Sequence, residues 1–163
     1  MAKVSFATRL GMHSGAIPRT TQDTVAVGDA RPAWPAADNG KDYFVERNGI
    51  KFAGTHLLID LWGACNLDDL EVVREALEES ARVAGATLLH THLHHFSPNG
   101  GISGVVVLAE SHISIHTWPE RNYAALDVFM CGACDPYLTI PVLRRAFQPG
   151  NVVLGEQKRG LVP

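Results

Sequence analysis

The fold is decided by the stretch Gly101-Ile-Ser-Gly-Val-Val-Val-Leu-Ala-Glu110-Ser111-His112-Ile-Ser-Ile-His116-Thr-Trp-Pro-Glu120-Arg-Asn-Tyr123-Ala-Ala-Leu-Asp127-Val-Phe-Met-Cys131-Gly132. The apolar run Val105 to Ala109 predicts a buried strand, interrupted by the polar tripeptide Glu110-Ser111-His112. Ile113 to Trp118 predicts a second strand. Pro119 to Asn122 supplies turn residues, and Tyr123 to Met130 predicts a third strand ending at Cys131. A serine, two histidines, a glutamate and a cysteine therefore fall at or near the ends of adjoining strands. Nucleophile, acid and base types gathered in this way mark the place to look for chemistry.

Upstream of this stretch, Thr87 to Phe96 predicts a histidine-rich strand. Before it, Leu70, Val73, Leu77, Ala81 and Ala84 recur three or four apart, with Glu71, Glu75, Glu78 and Arg82 on the other side. That period predicts a helix, with Asn66 or Asp68 as its cap and Gly85 at its end. His56 to Trp62 predicts the first strand of a domain that begins near Gly49. Downstream, Asp135-Pro136 suits the start of a second helix reaching Phe147, in which Pro141 must sit early, and Asn151 to Gln157 predicts a last strand. The order β-α-β-β-β-α-β predicts an α+β domain with a mostly antiparallel sheet and two helices on one face. Val105–Ala109 and Ala124–Phe129 are apolar on both faces, yet two helices cover only one side. The second face must meet something. A partner's sheet, and hence a homodimer, is the economical candidate, and folding of the N-terminal extension over that face is the alternative.

At 163 residues, one domain with a tail is expected. Residues 1–48 show no sustained period and are punctuated by Gly11, Gly15, Pro18, Gly28, Pro32, Pro35 and Gly40, which predicts a flexible extension before a domain over 49–163. Its first 22 residues carry Lys3, Arg9 and Arg19 and no acid, a faint likeness to a transit peptide, but lack the apolar core of a secretory signal. A net charge of −3 gives no electrostatic case for nucleic acid or an anionic membrane, and no apolar run approaches the roughly 20 residues that span a bilayer. Three cysteines argue against a disulfide framework and for a reducing, cytoplasmic setting.

Several chemistries fit these residues. His90, His92 and His94 share one strand face, with His95 beside them, a set that zinc can use; no Asp, Glu or Cys in the run completes a familiar spacing, so no metal is expected. Cys131-Gly-Ala-Cys134 is a single C-x-x-C, half a zinc site or a redox pair; Cys131 alone reads either as a small buried residue or as a partly exposed thiol. Ser111 with His112 or His116 and Asp127 has the composition of a hydrolase triad, but the G-x-S-x-G elbow is missing, and Ser111-His112 reads equally as a hairpin turn. A serine in a tight turn between buried strands also suits self-processing. Its hydroxyl attacks the Glu110 carbonyl, elimination releases the Glu110 carboxylate, and hydrolysis leaves a pyruvoyl ketone, an electron sink of the kind pyridoxal phosphate provides elsewhere.

The stretch closely resembles the self-processing core of prokaryotic S-adenosylmethionine decarboxylases, which show G-[VI]-S-G-V-V-V-x-x-E-S-H-[LI]-[ST]-I-H-T-W-P-E followed by Y-A-A-[VIL]-D-[VIL]-F-x-C-G. The likeness runs from about Gly54 to Gly160. It implies cleavage between Glu110 and Ser111 into chains of residues 1–110 and 111–163, with Ser111 becoming the pyruvoyl group that forms a Schiff base with substrate. It further implies that His116 and Ser103 assist processing and that Cys131 returns a proton to the substrate α-carbon. Glu120 would hold the ribose hydroxyls, with Phe96 and His116 against the adenine. The implied substrate is S-adenosylmethionine, decarboxylated to the aminopropyl donor of polyamine synthesis, and the implied fold is an α/β sandwich whose sheets meet across a homodimer. Departures from the pattern are the added residue in Asn99-Gly100-Gly101, Leu93 for Phe, Met130 for Thr and Tyr137 for Trp, all placed where they could touch the ligand pocket. Ornithine or arginine as substrate, a non-enzymatic metal-binding module and an unprocessed paralogue are the alternatives.

Overall fold

The computed structural model describes residues 44–162. The extension expected over residues 1–48 lies outside the described residues as far as residue 43; its last part enters a short hairpin of β1 (Val45–Arg47) and β2 (Ile50–Phe52). The expected start of the domain near Gly49 falls inside this hairpin.

The remaining elements follow the expected order: β3 (Gly54–Trp62), α1 (Leu70–Val83), β4 (Leu88–His95), β5 (Ile102–Leu108), β6 (Ser111–Trp118), β7 (Tyr123–Cys131), α2 (Thr139–Phe147) and β8 (Asn151–Arg159). Six strands form one sheet in the order β4-β5-β6-β7-β3-β8, antiparallel at every pairing. The two helices are crossovers between strands that run the same way, β3 to β4 and β7 to β8. The first starts on a strand running one way and moves toward one edge; the second starts on the opposite-running strand and moves toward the other edge. A common hand therefore sets both helices on one face.

That face holds the core. Leu57, Ile59, Leu61, Ile102, Val106, Leu108, Ile113, Ile115, Leu126, Val128 and Met130 alternate along the central strands and meet Val73, Ala76, Leu77 and Ala81 of α1 and Leu143 and Phe147 of α2. The cap of α1 is Asp69 rather than the expected Asn66 or Asp68; its carboxylate accepts from Glu71 N–H at 3.0 Å and Val72 N–H at 3.1 Å. The second helix is preceded by a single 3-10 turn, Pro136–Leu138, capped by Asp135, which leaves Pro141 in the first turn of α2, where its missing N–H costs no helical bond.

The opposite face is left open. Leu58, Trp62, Val107, Trp118 and Val153 lie on it, each 40 % or more exposed. Trp62 and Trp118 both stack on Tyr123, at 4.3 and 5.2 Å between ring centroids, and the Tyr123 hydroxyl donates to Asp60 at 2.6 Å, which pushes its pKa up to about 12.

Candidate active site

The hairpin between β5 and β6 is tighter than the tripeptide Glu110-Ser111-His112 suggested. Leu108 pairs with Ser111, so only Ala109 and Glu110 form the turn, and Ser111 and His112 belong to β6. The correction follows from pairing: a two-residue loop satisfies more backbone groups than a longer one. Glu110 takes up φ 60°, a left-handed conformation that a residue with a Cβ adopts only at a cost. The residue on the N-terminal side of Ser111 is thus a strained one.

Ser111 is buried at the start of β6, and the backbone N–H of Cys131 donates to its Oγ at 3.0 Å. Cys131 closes β7 opposite Gly54 of β3. Only glycine fits there, because a Cβ on Gly54 would lie 2.4 Å from the Met130 carbonyl oxygen and 2.9 Å from the Phe129 ring. The Cys131 thiol pKa is pushed up, first by burial and then by the Glu110 carboxylate, with the Ser111 hydroxyl working the other way. Ser111, Glu110 and Cys131 therefore form one cluster at one end of the central strands.

Ser103 and His116 form another. They face each other across β5 and β6 on the open side, Oγ to Nδ1 2.8 Å. Close to them in the chain, Glu120 stands exposed on the short 3-10 turn Pro119–Arg121 that follows β6, and Phe96 follows β4, its N–H donating to the Gly101 carbonyl at 2.8 Å. Phe96 packs edge-on against His94 at 4.5 Å. His116 lies five residues along β6 from Ser111, roughly 17 Å at about 3.4 Å per residue. Within one chain the expected site residues are split into two groups at opposite ends of the strands, a division that no motif spacing reveals.

The other candidate constellations do not assemble. Asp127 accepts from Ser114 at 3.1 Å and lies 3.3 Å from His56 Nε2, close enough for charge pairing though not aligned as a hydrogen bond. It approaches neither His112 nor His116 in that way, so no Ser111 triad forms. His90, His92 and His94 lie exposed on the edge strand β4, and among the described residues no group of three or more His, Cys, Asp or Glu is placed to hold a metal ion. Of the departures from the family pattern, Met130 points into the core under the helices, away from the open face, because the strand alternation puts it there.

Sequence reasoning missed three polar features around the Cys131 end. Tyr137 donates to Glu156, Lys158 bridges Glu156 and Thr55, and Arg159 lies 3.3 Å from His56. Residues on β8 and β3 far apart in sequence meet only through the sheet register. The pKa of His112 is lowered, by burial first and then by His56, with Arg159 adding and Asp127 opposing.

A family model described as S-adenosylmethionine decarboxylase matches residues 55–160. The chain belongs to the S-adenosylmethionine decarboxylase family. The S-adenosylmethionine decarboxylase proenzyme of Thermomicrobium roseum is 42% identical over 114 residues, covering 69% of this chain and 98% of the relative. That of Methanococcus vannielii is 47% identical over 116 residues, covering 69% and 94%. The crystal structure of the adenosylmethionine decarboxylase from Aquifex aeolicus superposes with a TM-score of 0.62 at 38% identity, over 69% of this chain and 94% of that one. The family match holds both residue groups, and the β1–β2 hairpin precedes it.

Proposed function

We propose that the chain is a self-processing decarboxylase of S-adenosylmethionine, whose product supplies the aminopropyl group for polyamine synthesis. The observation that carries the reading is the buried Ser111 hydroxyl, held by the Cys131 N–H directly after a strained Glu110, in a chain matching nearly the whole length of decarboxylase proenzymes.

Ser111 Oγ attacks the Glu110 carbonyl carbon; the C–O bond forms as the C–N bond breaks, and the amide becomes an ester. Relief of the left-handed Glu110 backbone, of order 1–3 kcal/mol, favours this step. Removal of the Ser111 α-proton then expels the Glu110 carboxylate, and water replaces the nitrogen as ammonia leaves. The keto group so formed supplies an electrophilic carbonyl that captures a substrate amine and takes up the electron pair released with CO₂. Cys131 holds its proton at Sγ, since burial and the Glu110 charge keep the thiol neutral, the state in which it can act as general acid toward the substrate α-carbon. Glu120 is suited to the ribose hydroxyls and Phe96 with His116 to the adenine ring.

Roughly 17 Å of strand separates Ser103 and His116 from Ser111. They act on it, in this reading, from a second copy. A two-fold axis lying parallel to the open face and across the strands carries each end of the strands onto the other and turns the two faces together, so a homodimer of cleaved protomers joins each half-site to its complement and covers the exposed Trp62, Trp118 and Val107. We place the enzyme in the cytoplasm, in keeping with three free cysteines, and keep residues 1–48 as an extension to a decarboxylase domain over 49–163. Intact mass tests the reading: two fragments, 1–110 and 111–163 with a keto group at its first residue, are expected. A folded preparation that remains one chain, or turnover of ornithine or arginine in place of S-adenosylmethionine, overturns it.

A further inference from the structure

The reaction uses one cysteine of Cys131-Gly-Ala-Cys134 and leaves the other without a part. Gly132 and Ala133 turn the chain at the end of β7, Gly132 at φ 60°, and the Cys134 N–H donates to the Cys131 carbonyl at 3.3 Å. A turn closed between residues i and i+3 holds their Cα atoms within about 7 Å, overlapping the roughly 4.4–6.8 Å that a disulfide spans. The turn is fixed on its far side as well, where Asp135 N–H donates to the Ala84 carbonyl at 3.0 Å. Both thiols are free and partly exposed. They feel one another, Cys134 being among the groups that push the Cys131 thiol up. Among the described residues the only hydrogen bond of the Cys134 sulfur is a weak one to the Gly85 carbonyl at 3.4 Å, easily given up. The third cysteine, Cys65, is exposed beyond Trp62, at the opposite end of the sheet.

We propose that Cys131 and Cys134 form a modification site for a small-molecule disulfide of the glutathione type, which converts them to an intrachain disulfide and reversibly removes the general acid. The inference rests on the preceding reading of Cys131. One protein thiolate attacks a sulfur of the small disulfide, giving a mixed disulfide and releasing one small thiol. The second protein thiol, losing its proton, attacks the protein sulfur of that mixed disulfide and expels the other small thiol. The protein gives up two electrons and two protons, and the small disulfide takes them up as two thiols. Because burial pushes up both thiols, the reaction quickens as pH rises.

The test treats the reduced full-length protein with oxidised glutathione and follows turnover, fragment mass and thiol alkylation. The 111–163 fragment, which holds both cysteines, is expected to lose two hydrogens (about 2 Da) as turnover falls about 10²-fold or more, with dithiothreitol restoring both. Cys134→Ser, or Cys134→Ala should the serine variant fold poorly, keeps basal turnover and never shows the two-hydrogen loss, whereas Cys65→Ser behaves as the parent. The proposal is overturned if the treated parent keeps both thiols open to alkylation, if it stops at a stable glutathione adduct, or if the disulfide forms with turnover intact. An uncleaved chain that still forms the disulfide counts against the decarboxylase reading and leaves the disulfide site standing.

Discussion

Among the described residues, Ser111 differs from every other serine in what surrounds it: a left-handed glutamate before it, a backbone donor on its oxygen and a neutral thiol beside it. Removing the hydroxyl leaves nothing to attack the Glu110 carbonyl, so Ser111→Ala is expected to give a single band on a denaturing gel where the parent gives two. Cys131→Ala removes a proton source and leaves the nucleophile in place. Cleavage should persist while steady-state turnover drops roughly 10²–10⁴-fold. His112, next to Ser111, carries a lowered pKa, so the unfolded chain binds its proton more readily than the folded one. Its contribution to stability is complete above the ordinary histidine value of 6.5 and is lost as pH falls through that value toward the lowered one. Urea unfolding of His112→Asn across about pH 7 to 5 should show a shallower loss than the parent; an unchanged slope would assign it to other groups.

Among the elements, α1 shows how local chemistry and packing share the work. Its apolar stripe is legible from residue spacing, and its start falls one or three residues past the expected caps because three nearby side chains, Asn66, Asp68 and Asp69, all suit a cap. Register against the sheet chose Asp69, whose carboxylate reaches two N–H groups, while Asn66 bonds instead to the Ala146 carbonyl at 2.9 Å. Asp69→Ala is expected to lower unfolding free energy by about 1 kcal/mol without changing cleavage, read as a shift in denaturant midpoint at constant slope. The β5–β6 hairpin teaches the same lesson. Of the polar tripeptide only Glu110 lies in the turn, and pairing of Leu108 with Ser111 makes the serine a strand residue.

For the whole molecule the consequence of the topology is a site in two halves. If each Ser111 is served by Ser103 and His116 of a second copy, a His116→Ala chain alone should stay uncleaved, as should Ser111→Ala. Co-expressed, they should form mixed dimers in which the intact Ser111 of the first meets the intact His116 of the second. Recovery of fragment 111–163 carrying His116→Ala, identified by mass, is the expected result. No cleavage in verified mixed dimers would place the helper residues within the same chain. The open face that makes this possible was legible in outline, since strands apolar on both sides had outnumbered the helices available to cover them.

The sequence by itself determined the order of strands and helices from β3 onward and the family, because alternation, helical period and a long contiguous motif are local properties of the chain. Tertiary structure alone decided that Ser111 and Cys131 touch while Ser103 and His116 stand apart from them, that Asp127 serves His56 and Ser114, and that Met130 faces the core. Those outcomes depend on strand order and register, which set neighbours across the sheet through hydrogen bonds between residues remote in sequence, and no spacing along one strand encodes them.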